Sequence, residues 1–344
     1  MLWGLVLRGI EMRGRARVAK CQIGLVGAGG VAARHARMLA TFAEVRLVSV
    51  TDLNPERAAA FAGRHGMRAV PGVEELIATG LDAVYVCVPP FAHGAAEEAV
   101  AAAGVALFVE KPIGLECTDA ERIDGLLRKS GAVSAVGHHW RYSAGVSRAR
   151  LALREHRPRL VMGAWLDQVP PVSWWSSRTL SGGQVIEQAV HVLDLARLLV
   201  GEVVEVCAVA DASPPNVPGG DVDGATVMTL RFAGGAVGSL AATCLLGWKH
   251  RAGLEVYADG LALALTEDEL RIRDSAGPRA LRFDPNAAKR AVDRAFVDAV
   301  LGRGDDVRSP YSDALRTHRL ACAVTRSMTE RGPVLLAEGA DAQR

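Results

Sequence analysis

A short apolar run, Cys21-Gln-Ile-Gly-Leu-Val26, leads directly into Gly27-Ala-Gly29-Gly-Val-Ala32. A second apolar run, Val45 to Thr51, ends at Asp52. No other stretch constrains the chain as strongly. Gly27 permits a tight turn after a strand, and Gly29 lets backbone approach a pyrophosphate. Gly30 and Val31 open a helix whose free N–H groups would face the phosphates, while Ala32 lets that helix lie close to the strand. Asp52 would accept hydrogen bonds from a ribose hydroxyl pair and repel a 2′-phosphate. The turn therefore predicts a dinucleotide cofactor. A methyltransferase nucleotide loop and a bare glycine turn remain as alternatives at this point; a phosphate P-loop does not, because no Gly-Lys-Ser/Thr follows.

From 21 to about 140, short apolar runs alternate with helical stretches, as a parallel sheet requires. Strands are expected at 21–26, 45–51, 82–88, 105–109 and 132–137, and helices at 30–41, 55–64, 73–79, 92–103 and 118–129. Asn54-Pro55 supplies a cap and a first-turn proline, and Thr118 is expected to cap another helix. Beyond 140, strand-like runs at 159–168, 203–210, 225–232, 236–244, 252–258 and 261–266 follow one another across glycine turns. Helices are expected at 184–200, 286–302 and 311–331, and 212–224 reads as a loop or lid. The fold class is thus α/β. A Rossmann, doubly wound parallel sheet (21–140) precedes an α+β domain with an open, mainly antiparallel sheet (141–344), which would bind substrate and mediate oligomerisation. Residues 1–20 read as a ragged extension with Met12 as an alternative start: Arg8 and Glu11 interrupt the apolar Trp3–Leu7 before signal-peptide length.

Two constellations carry chemistry. Glu110-Lys111-Pro112 follows the strand at 105–109, at the carboxyl edge where such sheets bind ligands. Pro112 would hold Lys111 in a defined turn, from which the ammonium can hydrogen-bond a substrate oxygen. Alternatively, Lys111 is a solvated lysine paired with Glu110. In the second, Glu187, His191 and Asp194 fall at i, i+4 and i+7, on one face of an α-helix. Glu187 is expected to hold His191 and raise its pKa, making it a general acid/base; a solvated charged face is the alternative. Arg141, with His139 and Tyr142, would line the cleft, His138 is expected rather to pack, and Trp174-Trp175 would stack on a sugar ring or serve as packing anchors. Pro89 closes a strand at the cofactor, and His93 caps or packs the helix beside it.

In order and spacing, Gly27–Ala32, Asp52, Pro89-Pro-Phe-Ala-His93, Glu110-Lys-Pro112 and Glu187-x-x-x-His191-x-x-Asp194 resemble the glucose-fructose oxidoreductase/inositol dehydrogenase/rhizopine catabolism (Gfo/Idh/MocA) family, over about residues 21 to 335. The resemblance argues against the methyltransferase. It implies nicotinamide-dependent oxidation or reduction of a hydroxyl on a sugar, cyclitol or amino-sugar ring, with Lys111 orienting that hydroxyl and His191 moving its proton. The family commonly places an aspartate where Glu187 stands, and the longer chain is expected to turn its carboxylate onto His191. Asp194 would bind a neighbouring hydroxyl or brace the helix. Pro89, His93 and Glu110 fall on the cofactor side. Asp52, with no arginine at Leu53-Asn54, implies NAD in preference to NADP.

A redox-neutral lyase, glycoside-cleaving enzyme or epimerase using held NAD is the competing enzyme class, and a catalytically silent nicotinamide sensor the non-enzymatic one. The formal charge of +2 over 344 residues gives no reason to expect a nucleic-acid or membrane partner. Six scattered cysteines with no C-x-x-C pair fit a reduced, cytoplasmic setting, and no metal site is expected from their spacing. The broad second sheet suggests a homodimer or homotetramer.

Overall fold

The computed structural model describes residues 20–336, so the extension expected at 1–20 lies almost wholly outside the described residues. Six strands form the first sheet: β1 (Cys21–Val26), β2 (Val45–Thr51), β3 (Arg68–Ala69), β4 (Ala83–Val86), β5 (Ala106–Val109) and β6 (Ser134–Val136). Their order is β3-β2-β1-β4-β5-β6 and every pairing is parallel. The chain reverses direction across the sheet between β1 and β4, where such sheets open a ligand crevice at their carboxyl edge. All of β4 and β5 is buried, as expected of strands covered by helices on both faces.

Local signals set the helix starts. Asn54 accepts from the Arg57 amide at 3.0 Å, with Pro55 in the first turn. The expected cap at Thr118 is displaced: that helix starts at Cys117 and puts Thr118 inside its first turn. The two-residue β3 and the helix Ala144–Ala152 were not anticipated.

Nine strands form the second sheet: β7 (Pro158–Leu166), β8 (Val203–Asp211), β9 (Ala225–Phe232), β10 (Val237–Thr243), β11 (Arg251–Ala258), β12 (Leu261–Thr266), β13 (Glu269–Asp274), β14 (Gly277–Arg282) and β15 (Val334–Leu335). Their order is β14-β13-β12-β11-β7-β10-β9-β8-β15; β7 and β10 run parallel and the other pairs antiparallel. Residues alternate along β9 and β10. Met228, Leu230 and Leu240 turn inward onto the helices Val190–Val200 and Tyr311–Glu330, while Val227 and Val237 face out. Gly163 lets the first of these helices approach closely, since a Cβ there would sit 2.8 Å from Val192 Cγ1.

The two closing helices return to the first sheet. Val292 and Phe296 of Pro285–Val300 join the core with Tyr85 and Phe108 on one face. Tyr311, Ala314 and Leu315 join Val84, Val86, Leu107 and Val109 on the other. Among the described residues no helix is long and apolar enough to cross a membrane.

Candidate active site

The glycine turn has the shape its sequence implied. Gly27 has φ +92°, and a Cβ there would lie 2.4 Å from the Cys87 carbonyl oxygen. Gly29 caps the helix Gly30–Leu39, and a Cβ on Gly29 or Gly30 would meet nothing within 4 Å. That open cradle at a helix N-terminus suits a pyrophosphate, and Val31 beside it is exposed. Asp52 accepts from the Ala28 and Asn54 amides at 2.8 Å each, which fixes its carboxylate at the end of β2. Cradle, helix end and carboxylate together fit a dinucleotide. An arginine does stand close, however: Arg57 Nε is 3.5 Å from Asp52 Oδ1, brought there by the first turn of the next helix. Pro89 precedes the short turn Pro90–Ala92 after β4. His93 pairs through Nδ1 with the buried Glu97, which also accepts from the Gly94 amide at 2.8 Å. Its nearest commitment is to the helix start.

Glu110 and Lys111 leave the end of β5 in different directions. Glu110 is buried and accepts from Arg34 Nη2 at 2.7 Å and His35 Nε2 at 2.8 Å. The other ring nitrogen of His35 reaches Asp293 at 2.7 Å, on a helix far along the chain. Burial raises the Glu110 pKa, but the His35 hydrogen bond and Arg34 bring it down to about 2. Burial likewise opposes a charge on His35, yet Asp293 and then Glu110 raise its pKa to about 9. Glu110 therefore does not pair with the Lys111 ammonium. The Lys111–Pro112 peptide is cis, and Lys111 Nζ donates to Glu187 Oε1 at 2.6 Å and to the Glu187 carbonyl at 2.8 Å.

Glu187 thus holds the lysine, where the sequence reading had it holding His191. The reason is local: Val185–Ala189 forms a π-helical turn and the regular α-helix begins only at Val190, so the i, i+4 relation does not apply across the pair. The second Glu187 oxygen accepts from Trp175 Nε1 at 2.8 Å. Trp175 is fully buried against Val222 and Cys244, with Trp174 packed on the same cluster, so Trp175 is an anchor and not a stacking platform. Val222 comes from the 212–224 loop, which is tied down by Asp221 and Asp223 to Arg178.

His191 packs against two indoles that also meet each other, their centroids 6.0 Å apart. Trp165 stacks on it at 5.4 Å and Trp140 at 6.0 Å, while His138 and His139 meet it edge-on. Its Nδ1 has no hydrogen-bond partner among the described residues. Burial and then the Lys111 charge push its pKa well below 6.5, opposite to the expected rise. At neutral pH the imidazole is uncharged and able to accept a proton.

Arg141 and Asp194, expected at the substrate, use their polar atoms on each other: Nε–Oδ2 is 2.7 Å and Nη2–Oδ1 is 2.6 Å. Thr317 donates to the same carboxylate at 2.8 Å, and Arg141 also reaches Asp313. Both Arg141 and Asp194 are buried. Burial opposes the charge on Asp194, but His138 and Arg141 hold its pKa at about 2. His138 itself falls to about 4 through burial and is neutral at pH 7, so the guanidinium is the effective partner. This pair clamps the His191 helix to the segment after β6.

Residues 21–138 match a family described as "Oxidoreductase family, NAD-binding Rossmann fold", and residues 157–262 match the GFO/IDH/MocA C-terminal domain. Inositol 2-dehydrogenase of Rhizobium meliloti is 30% identical over 339 residues, covering 92% of this chain and 99% of that protein. The chain belongs to the Gfo/Idh/MocA family. UDP-N-acetylglucosamine 3-dehydrogenase of Acidithiobacillus ferrooxidans is also 30% identical, covering 86% of this chain and 89% of its own. A solved levoglucosan dehydrogenase in complex with NADH has the same fold, with a TM-score of 0.85 at 23% identity and 93% and 100% coverage.

In this Gfo/Idh/MocA oxidoreductase the carboxyl edge of the first sheet meets a polar wall that sequence reasoning found only in part. Lys249 sits 5.0 Å above the Trp165 ring and 3.4 Å from Glu267, which also lies 3.5 Å from His139. Neither Lys249 nor Glu267 belongs to a motif; each comes from a turn of the second sheet, and only tertiary packing brings it near His191.

Proposed function

We propose that this protein is an NAD-dependent dehydrogenase that interconverts a secondary alcohol and a ketone on a sugar, cyclitol or amino-sugar ring. One observation carries the reading: Lys111, braced at 2.6 Å by Glu187, lies close enough to the buried His191 for its charge to help hold that imidazole neutral. Lys111 would donate to the reacting oxygen and stabilise it as an alkoxide, and His191 would take the hydroxyl proton in oxidation and return it in reduction. The C–H electron pair leaves the carbinol carbon as its C=O bond forms. When bound, the nicotinamide supplies the two-electron acceptor or donor. Glu187 and Trp175 act as positioning residues for the lysine. The relatives named above, dehydrogenases of inositol, UDP-N-acetylglucosamine and levoglucosan, support a polyol or sugar substrate. Asp52 supports NAD over NADP, with Arg57 a cation that would oppose that choice.

The test is a panel of polyols and sugars with NAD and NADP, followed by absorbance of the reduced cofactor. Lys111→Met should lower kcat by about 10³-fold while NADH still binds, and Asp52→Ala should erode discrimination against NADPH. An unimpaired Lys111→Met would overturn the assignment. Turnover without net NADH, on a protein that retains its cofactor through purification, would instead identify a redox-neutral lyase or epimerase.

A further inference from the structure

Behind the segment that carries Lys111, two helices bring together three metal-binding side chains. Cys117 is the first residue of Cys117–Ser130, and His318 and Cys322 stand one turn apart on Tyr311–Glu330, hence on one face. The two cysteine sulfurs and a His318 ring nitrogen all lie within 4.8 Å of one another. His318 Nε2 is 3.6 Å from Cys322 Sγ. A tetrahedral Zn²⁺, with Zn–S near 2.3 Å and Zn–N about 2.0–2.1 Å, sets its sulfur and nitrogen ligands about 3.5 Å apart. The nitrogen–sulfur spacing therefore already matches what the metal demands. His318 is buried and its Nδ1 has no partner among the described residues, while Cys117 and Cys322 are half-buried, which leaves a route in from solvent.

We propose that Cys117, His318 and Cys322 form a Zn²⁺ site that pins the loop following Lys111 to the helix Tyr311–Glu330. Two thiolates and a neutral imidazole suit a borderline-soft divalent cation, and the two sulfur charges offset its own. Binding is not a redox step: each thiol releases its proton to solvent as its Zn–S bond forms. Three protein ligands leave the fourth position to water. Cys322 Sγ also lies 3.8 Å from the Leu115 carbonyl, so the site touches the loop at Leu115 as well as at Cys117. Both residues follow Lys111 within a few positions, and the metal would fix the far end of the segment whose near end presents the ammonium. Arg319, a cation beside Cys117, is occupied by Glu121 at 2.8 Å. Lys111, His191 and the glycine cradle play no part in the site, so it stands or fails independently of the proposed reaction.

The experiment uses the full-length protein, reduced and then desalted without oxygen, titrated with Co²⁺ as an optical probe and with Zn²⁺ as competitor. The expected result is one Co²⁺ per chain, with visible bands of tetrahedral cobalt and near-ultraviolet sulfur-to-cobalt charge transfer, both erased by Zn²⁺. Cys117→Ser, at a helix start where serine is well tolerated, and Cys322→Ser should each lower Co²⁺ affinity by at least about a hundredfold. NADH binding confirms that each variant is folded. Zn²⁺ should raise the Tm of the parent and leave that of Cys322→Ser unmoved. Absence of the charge-transfer band while both thiols react with a thiol reagent would overturn the proposal. So would loss of both thiols to a disulfide under mild oxidation with no metal uptake by the reduced protein.

Discussion

Few positions are harder for a charged imidazole than that of His191. It is buried against Trp165 and Trp140, and the Lys111 ammonium adds to the cost of a second positive charge. The neutral form is therefore the working form in oxidation, and activity should fall only once acid protonates it. We expect kcat/KM for alcohol oxidation to show no acid limb near 6.5, with any His191 limb displaced well below that value; a pH–rate profile checks this, and a limb at or above 6.5 would contradict it. At this scale the sequence named polar residues that the fold brings together, and mispaired several of them. Lys111, Glu187 and His191 do converge, but Glu187 serves the lysine because a π turn breaks the helical spacing. Arg141 and Asp194, far apart along the chain, satisfy each other. Spacing rules presuppose regular elements, and they say nothing about partners supplied from elsewhere in the fold.

Between elements, the chain Asp293–His35–Glu110 joins three segments: the helix Pro285–Val300, the first helix of the glycine turn, and the end of β5. His35 is wedged beside Tyr85 and Phe108 in the same core. Its pKa is raised from 6.5 to about 9. Its charged form thus stabilises the fold fully below pH 6.5, and that contribution is lost as pH climbs to about 9. Glu110 behaves oppositely: its contribution is complete above 4.5 and is lost as pH falls towards about 2. The shift on His35 corresponds to about 3 kcal/mol. His35→Gln should therefore lower stability by about that much below pH 6.5 and flatten the pH dependence between 6.5 and 9; denaturant melts at several pH values check it, and an unchanged slope would assign the dependence elsewhere. No sequence pattern marks His35, which occupies an ordinary helix position and meets Asp293 only in the folded chain. Strands and long helices were legible because alternation and periodicity are local. The Arg-rich strands β13 and β14 and the helix Ala144–Ala152 were not, having little apolar signal to read.

At the scale of the molecule, one face of the second sheet is covered by helices and the other carries Leu160, Met162, Val209, Val227 and Val237, all exposed, with Val209 at 68%. On the neighbouring strands β7, β10, β9 and β8, Leu160 stands beside Val237 and Val227 beside Val209, with Ser239 and Thr229 in the row between. An outer sheet face with this much exposed apolar surface is typical of one that packs on another copy. We expect a homodimer or homotetramer through this sheet, dissociated by Met162→Glu with Val227→Glu; light scattering that reports the same mass for parent and variant would refute it.

The return of the two closing helices to the first sheet bears on how the chain is made. When β6 has left the ribosome, both faces of its sheet still lack covers that lie more than a hundred residues downstream, Phe296 for one and Tyr311 with Leu315 for the other. At ordinary elongation rates that interval lasts on the order of 10 to 30 s. Throughout it Tyr85, Phe108, Val84 and Val109 are only partly screened from water. The nascent half-protein is thus a natural client for a chaperone, and a stop codon shortly after residue 140 would yield a sticky fragment in place of an independent cofactor-binding module.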